Sequence, residues 1–261
     1  MKRYLALARI SAKNALRYRL TFVLSLFAVL FQFVAMMAVW HELLAGRSMN
    51  GYTWEQMRAY LLVAFASGAL AGLFVDMRMA HRIRSGLVAL DILKPVRYQE
   101  ARFAEMLGGL WIEAGVVLMV ALATVLLFGG VPRPAGPETA LFVVSLALLV
   151  VLKFLVLYGC GLACFWTQNY MGVHWARIAV VNLLSGALVP LAFLPHWLRT
   201  AATWSPFAGI TSTPGLILVG QLTGWRALLF VVVQAGWAIV LWVGAKALWR
   251  VAVRQLTVNG G

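Results

Sequence analysis

The chain has 261 residues, of which 63% are hydrophobic and 11% are charged, and its formal net charge is +14. Soluble domains carry about 25% charged residues, so this composition excludes an ordinary soluble domain and indicates an all-α polytopic membrane protein. In a soluble protein the positive charge would suggest nucleic-acid binding. Here the basic residues cluster between apolar runs, which is the pattern of membrane topology, and we expect no nucleic-acid partner.

Six apolar stretches are long enough to cross a bilayer, which takes about 20 mostly apolar residues in a helix. They cover residues 20–40, 58–75, 107–128, 139–160, 176–194 and 225–248. The second and fifth lie at the short end of the range. With this assignment, sixteen basic residues fall on the side of the two termini and five on the other side. The positive-inside rule therefore predicts six transmembrane helices with both termini in the cytoplasm.

The first segment, residues 1–19, is basic and has no A-x-A cleavage site after it, so we expect no cleavable signal peptide. Its basic side chains share one helical face: Lys2, Arg9, Lys13 and Arg17. This pattern predicts an N-terminal interfacial helix along the inner membrane surface. A basic segment that directs topology without a fixed docking site explains the pattern equally well.

The loop between the second and third stretches, residues 76–106, is too long for a simple turn and contains a short apolar segment, "SGLVALDILKPVR". Three leucines fall three residues apart and form one stripe: Leu87, Leu90 and Leu93. Four other residues define its ends and flanks, namely a turn glycine, an acid beside the stripe, a lysine nearly in line with it and a terminating proline: Gly86, Asp91, Lys94 and Pro95.

Val88 and Ile92 lie on the opposite side of this short helix, so it is apolar on two sides and needs cover on both. One side could pack under the spans while the other lies in a groove of a cytoplasmic partner. A helix lying flat on the bilayer is the alternative that composition leaves open.

Two ionisable residues fall inside predicted spans, Glu113 in the third and Lys153 in the fourth. Charges within a membrane are costly and mark either function or a structural pair. Both lie about two turns from the cytoplasmic end of their helices, so we favour an intramembrane pair, or a lysine that extends to the interface, over a proton relay.

Residues 186–215 begin at Gly186 and contain four prolines between apolar pieces too short to cross a membrane: Pro190, Pro195, Pro206 and Pro214. Irregular backbone at membrane depth must be buried in protein or line a cavity. The segment therefore predicts re-entrant helices between the fifth and sixth spans on the external side. The alternative is a loop with an interfacial helix on the outer surface.

Motifs for chemistry are missing from the sequence. A P-loop needs a lysine followed by Ser or Thr, and none of the five lysines is followed by either. No H-E-x-x-H motif or G-x-S-x-G elbow occurs, and the four histidines lie near predicted membrane boundaries. We therefore expect no catalytic residue, no metal site and no cofactor bound by this chain.

Four stretches carry a family resemblance, in the family's order: "YLALARISAKNALRYRLTFVLS", "HRIRSGLVALDILKPVRY", "SGALVPLAFLPHWL" and "SPFAGITSTPGLILVG". With them the chain resembles the type-2 family of ABC-transporter permeases, the membrane subunits of ABC exporters. Within that family it is similar to a bacterial branch of small six-span permeases. Each motif is weak alone, but together they cover essentially the whole chain.

The resemblance implies a coupling helix that seats in a cleft of a separate ABC ATPase subunit, with these contact residues: Gly86, Leu87, Leu90, Asp91, Leu93, Lys94 and Pro95. It also implies two ATPase copies, which hold the ATP and Mg, and a second permease subunit, as a homodimer or a heterodimer. The location it implies is the bacterial cytoplasmic (inner) membrane. Lys94 stands where the branch more often has Arg, which puts a bidentate contact there in doubt.

The function implied is the permease subunit of an ATP-driven exporter whose external gate includes Gly186, Pro190, Pro195 and Pro206. Few charges lie in the spans, which favours a lipophilic or amphipathic cargo. Ala187 stands where the family motif often has a polar residue, so details of gating do not transfer. The alternatives are a secondary transporter, which would predict paired carboxylates or an inverted repeat, and a non-transporting membrane sensor subunit.

Overall fold

The computed structural model describes residues 2–15, 19–70, 75–130, 132, 134, 136–167 and 169–257. Eleven α-helices lie in these ranges: α1 Lys2–Ala15, α2 Arg19–Leu43, α3 Trp54–Ala69, α4 Val75–Arg84, α5 Val88–Ile92, α6 Tyr98–Phe128, α7 Gly136–Leu162, α8 Tyr170–Leu184, α9 His196–Trp204, α10 Ser212–Leu218 and α11 Gly224–Val253. Four 3-10 turns join or follow them: Ala163–Phe165, Leu191–Phe193, Ala208–Ile210 and Arg254–Thr257. The described part of the chain has no strand beyond one isolated bridge between Met49 and Tyr52.

Three of the described helices are both long enough and apolar enough to cross a membrane: α6, α7 and α11. They match the third, fourth and sixth predicted stretches. The other three stretches correspond to α2, with 25 residues, and to the shorter α3 and α8, with 16 and 15 residues. At 1.5 Å per residue, α3 and α8 are about 22–24 Å long, less than the ~30 Å hydrocarbon layer.

Two predicted boundaries are wrong, each because a local signal breaks the helix. The second stretch was expected to run to residue 75, but α3 ends at Ala69, where Leu70 takes an extended backbone with a ψ of 149°. The fifth was expected at 176–194. Instead α8 begins at Tyr170, after the Asn169 side chain caps the Gly172 amide, and ends before the turn at Gly186.

The core is centred on α7, which packs against α4, α10 and α11. Several of its large side chains are fully buried: Leu149, Leu152, Phe154, Tyr158 and Leu162. In the most apolar 18-residue stretch of α7, 33% of the residues are buried inside the chain, compared with 6% in the corresponding stretch of α6. The apolar surface of α6 therefore faces outward, as expected of a helix that contacts lipid.

The N-terminal helix α1 is docked against the first half of α6. Gly108 makes this close approach possible, since a Cβ there would lie 2.1 Å from the carbonyl oxygen of Ala8. The hydroxyl of Tyr4 donates to Glu100 at 3.3 Å, and Arg3 donates to the Pro95 carbonyl at 3.0 Å. The N-terminal segment therefore has a fixed docking site on the protein, and its placement along the membrane surface stays a prediction. Met1 and residues 16–18 lie outside the described residues.

Candidate functional site

The short helix expected in the first cytoplasmic loop is present as α5, immediately after α4. Gly86 has a φ of +71°, a left-handed conformation in which an L side chain is strained, and it turns the chain between the two helices. Its carbonyl accepts a hydrogen bond from the Ala89 amide at 3.1 Å, which begins the next turn. The helix ends at Leu93, two residues before Pro95. Glycine and proline thus define the two ends of α5.

The leucine stripe of α5 faces away from the rest of the chain. Leu87, Leu90 and Leu93 have exposed fractions of 39, 58 and 80%. On the opposite side Val88 is fully buried, whereas Ile92 remains 43% exposed. Of the two apolar sides that needed cover, one is covered by the chain at Val88 but not at Ile92, and the leucine side is open.

Asp91 points into the chain rather than outward, and its side chain is only 1% exposed. Arg82 of α4 donates to both of its carboxylate oxygens, at 2.7 and 2.8 Å, and Lys94 donates at 2.7 Å. Arg102 of α6 lies 3.7 Å away. We call these four residues the Asp91 cluster. The cluster fastens α5 to α4 and α6, so the carboxylate that the sequence placed on the partner contact is used within the chain.

The charges of the cluster determine the protonation of Asp91. Burial by itself would raise the pKa of the Asp91 carboxyl, but hydrogen bonds from Arg82 and Lys94 and the charge of Arg102 hold the pKa below its usual value. The hydrogen bond to Asp91 in turn raises the pKa of Arg82. Asp91 is therefore ionised throughout the physiological pH range.

A second group of charges fastens the other end of α4. Asp76, in the first turn of α4, is fully buried. One of its oxygens lies 2.8 Å from Arg177 and 3.0 Å from the Nδ1 atom of His174, both on α8. The Tyr170 hydroxyl lies 3.4 Å from the same His174 nitrogen. We call these four residues the Asp76 cluster. Since α4 also carries Arg82, one helix connects α5 to α8 through two ionic contacts.

A cavity of about 420 Å³ lies between α2, α3, α7 and α8. Its apolar lining includes Phe33, Phe65 and Val181. Polar groups are spread along it, among them Gln32, Asn182 and Thr211 together with the basic side chains of Lys153, His174 and Arg177. The Asp76 cluster therefore forms part of the cavity wall, and a shift of α4 relative to α8 would change the shape of the cavity.

Lys153 also lines this cavity, and its ammonium group caps the end of α3. It donates to the backbone carbonyls of Ser67, Gly68 and Leu70, the bond to Gly68 measuring 2.9 Å. The last carbonyls of a helix lack partners within the helix, so a cation there is favourable. Glu113 on α6 is buried and attracts Lys153 electrostatically. Direct pairing of Glu113 with Lys153 stays a prediction.

The prolines of segment 186–215, which the sequence places on the external side, introduce short helical turns. Pro190 precedes the 3-10 turn Leu191–Phe193, and Pro195 directly precedes α9. Proline suits these positions because the first amides of a helical turn need no partner within it. Pro206 lies two residues before the turn Ala208–Ile210. Gly186 has a φ of +78°, and its carbonyl accepts a hydrogen bond from the Tyr60 hydroxyl at 2.9 Å.

This segment has an exposed part and a buried part, and whether either enters the membrane stays a prediction. α9 lies at the surface with Trp197 and Trp204 exposed by 71 and 53%. The following turn and α10 are buried among α3, α7 and α11. A Cβ on Gly209 would lie 2.7 Å from Leu152, halfway along α7, and the Thr211 hydroxyl is 2.7 Å from Ser67 near the end of α3. The chain therefore enters the bundle after α9 and reaches the wall of the cavity.

Sequence reasoning missed the Asp76 cluster. His174 was expected at a membrane interface, but it is buried and paired with Asp76. The available signal was a lone aspartate directly after an apolar run, together with His174 and Arg177 three residues apart on one helix face. Within the described residues no group of three or more His, Cys, Asp or Glu side chains could hold a metal.

Three described helices, α6, α7 and α11, are long and apolar enough to cross a membrane, which indicates a helical, multi-pass membrane protein. The sequence model of the ABC-2 family transporter proteins matches residues 20–260, and the chain therefore belongs to the ABC-2 transporter family. The resemblance to type-2 ABC permeases is thereby confirmed. No curated protein matches the chain. Members of this family are membrane transport components that associate with an ABC ATPase and are generally not catalytic themselves.

Proposed function

We propose that this chain is the permease subunit of an ATP-driven exporter in the bacterial cytoplasmic membrane. It pairs with a second permease subunit and with two copies of a separate ATPase, which hold the ATP and Mg. The observation that carries the proposal is the combination found at α5. An open leucine stripe stands on a helix whose position is fixed by the Asp91 cluster.

The open stripe supports an apolar contact with the ATPase. A helix that lays three leucines into a groove is a recurrent mode of recognition, and the buried ion pairs hold the helix in its bound position beforehand. Lys94 is 47% exposed and can reach the rim of such a groove while it keeps its bond to Asp91. We therefore assign partner contact to the leucines and Lys94, and anchoring to Asp91. Gly86 and Pro95 limit the length of the contact.

Force on α5 has a direct route to the spans. The Asp91 cluster connects α5 to α4 and to the start of α6, and the Asp76 cluster connects the first turn of α4 to α8. A rigid-body shift of α5 and α4 would therefore move α8 against α3 and α7, which are the walls of the cavity. This route explains how closure of ATPase subunits could reshape the cargo pathway.

The cavity lining supports a lipophilic or amphipathic cargo. Most of the lining is apolar, and its cations are already engaged, Lys153 with carbonyls and Arg177 with Asp76. A cargo that brings apolar surface gains most from such a wall, whereas a small inorganic ion would find few free partners. The buried part of the external segment borders the cavity at Ile210 and Thr211, which supports its role as the external gate.

The coupling contact is tested with the double variant Leu90→Asp and Leu93→Asp, co-expressed with candidate ABC ATPase subunits, one of which must first co-purify with the wild-type chain. Two carboxylates in an apolar groove are strongly unfavourable, so co-purification and ATP-driven transport are both expected to be lost. The matched control is Leu90→Met with Leu93→Met, which keeps the apolar contact and should retain both. Persistence of both activities in the aspartate variant would overturn the contact.

The pathway is tested separately in the same assay with a neighbouring pair of substitutions on α8. Val181 lines the cavity, whereas Val180 is 44% exposed and faces away from it. Val181→Trp is expected to reduce transport of a fluorescent amphipathic probe while co-purification with the ATPase stays intact. Val180→Trp should leave both unchanged. If the two variants transport the probe equally well, the cavity is not part of the cargo pathway.

A further inference from the structure

A second cavity, of about 600 Å³, lies on the side of the molecule that carries α5. It is enclosed by α1, α4, the segment after α5 and the first turns of α6. Five basic side chains line it: Arg78, His81, Arg82, Lys94 and Arg102. The transport route described above uses Arg82, Lys94 and Arg102 through their contacts with Asp91 and the ATPase, but it gives no role to Arg78 or His81, so this concentration of cations needs a separate explanation.

The acidic groups present compensate only part of this charge. Glu105 is the one carboxylate in the lining, and it pairs with Arg102 at 2.9 Å. Asp91 lies behind the wall and is shared by Arg82, Lys94 and Arg102. Four permanent cations therefore face two carboxylates, which leaves an excess of two positive charges before His81 is counted.

One buried donor at this cavity has no hydrogen-bond partner within the described part of the chain, and one exposed cation there has no ion pair with a described residue. The side chain of Arg102 is only 9% exposed, yet its Nε is buried without a hydrogen-bond partner. Arg78 is exposed and forms no ion pair with a described residue. Buried donors are normally satisfied, and guanidinium groups bind phosphate oxygens in particular. The cavity is therefore suited to an anion with several oxygen acceptors.

The rest of the lining indicates where such an anion comes from. Leu7 and Ile10 of α1 form an apolar wall, and Ile10 is 57% exposed. The apolar, outward-facing part of α6 begins at Leu107, directly after Met106 of the cavity lining. Basic pockets beside the cytoplasmic ends of membrane helices bind anionic lipid head groups. A soluble phosphate would leave the apolar wall in water, whereas a lipid would cover it with an acyl chain.

We propose that this cavity binds an anionic phospholipid of the inner leaflet, with its phosphate among Arg78, Lys94 and Arg102 and an acyl chain along Leu7 and Ile10. The lipid would join α4, α6 and the end of the coupling helix from the membrane side. Its binding depends on this chain alone. Its effect, a firmer α5 and hence tighter ATPase docking, rests on the function proposed above.

Arg78 offers the sharpest test because it contributes charge to the cavity without an ion pair that holds the fold. Protein in nanodiscs of phosphatidylcholine with a minor fraction of phosphatidylglycerol is analysed by native mass spectrometry for retained phosphatidylglycerol. Arg78→Gln should lower retention about fivefold and Arg78→Glu about 30-fold, the effects of removing one and two charges near an anionic head group. Arg84, exposed on the same helix outside the cavity, is the matched control, and Arg84→Glu should retain lipid like the wild type.

Three other results would overturn the proposal. Equal retention by Arg78→Glu and Arg84→Glu would mean that attraction to the bilayer is diffuse and the cavity is not a site. Both lipids carry a phosphate, so equal retention of phosphatidylcholine and phosphatidylglycerol would show that the cavity does not select a head group with net negative charge. Displacement of the lipid by excess inorganic phosphate would assign the cavity to a soluble anion. All three are measured without an ATPase, so failure of the proposed function leaves the binding result intact.

Discussion

Two regions hold this chain together with different kinds of polar contact. The α4–α5 joint, formed by these two helices, is fastened by full charges in the Asp76 and Asp91 clusters. The segment 186–215 is fastened by neutral groups, among them the hydrogen bonds from Tyr60 to Gly186, between Ser67 and Thr211, and from Gln234 to Gly209. The contrast is between ionic and neutral contacts.

This difference matches what each region has to do in the proposed mechanism. Removing one member of a buried ion pair costs about 3–5 kcal/mol, whereas an ordinary hydrogen bond contributes about 0.5–1.5 kcal/mol net. A joint that transmits force must keep its contacts while it moves. A gate must exchange its contacts with water or cargo when it opens. Ionic contacts suit the first task, and neutral hydrogen bonds suit the second.

The largest effect is expected from breaking the ionic side of this comparison at Asp76. Asp76→Ala leaves Arg177 and His174 buried without their acidic partner, so we expect the free energy of unfolding to fall by roughly 3–5 kcal/mol. The measurement is thermal unfolding in detergent micelles followed by tryptophan fluorescence. The double variant Asp76→Leu and Arg177→Met removes both charges and should recover most of the loss. A single variant as stable as the wild type would show that Asp76 does not hold α4 to α8.

A smaller loss is expected on the neutral side, at Gln234. This fully buried amide donates to the carbonyls of Ser145 and Gly209 at 2.9 and 2.8 Å and accepts from the Ser145 hydroxyl. Gln234→Leu leaves those groups unsatisfied and should cost about 1–3 kcal/mol in the same unfolding measurement. The matched control is Gln221→Leu, because Gln221 is exposed and makes one hydrogen bond to Gly51. If Gln234→Leu and Gln221→Leu lower the free energy of unfolding by the same amount, burial does not determine how much the neutral contacts contribute.

The long helices were predicted best from the sequence, because each forms from one continuous apolar run. The third, fourth and sixth stretches became α6, α7 and α11, since a run of about 20 apolar residues suffices to predict a long helix. For the short helices the predicted ends were wrong, because local capping and turn residues determine where such a helix begins and ends. Asn169 is a favoured N-cap residue and lies seven residues before the expected start of the fifth span.

The helix α5 was predictable because its signals lie within ten residues, from the turn glycine Gly86 to the terminating proline Pro95. The surroundings of Asp91 were not, because Arg82 and Arg102 come from two other helices. The Asp76 cluster joins residues that are 98 positions apart. Contacts of this kind follow from how α4 packs beside α8, and no periodicity within either segment reports that arrangement.

The smallest effect on the fold is expected at Asp91, where the ionic contacts are closest to water. Arg82 and Lys94 are 31 and 47% exposed and can be hydrated if they lose their partner. Asp91→Asn should therefore change the unfolding of the whole chain by less than about 1 kcal/mol, while it frees α5. A spin label at Leu93→Cys, with Cys160 and Cys164 replaced by alanine, reports the mobility of that helix directly.

The same label tests the pH dependence of the joint. Because the pKa of Asp91 is held below its ordinary value of about 3.9, its stabilising contribution is fully present above that pH and is lost as the pH falls through the lowered pKa. The label should stay immobile from neutral pH down to about pH 4 and become mobile below it. In Asp91→Asn it should be mobile at every pH. If the label becomes mobile already near pH 6, protonation of a histidine controls the mobility of α5. The ionic joint then depends on a group other than Asp91.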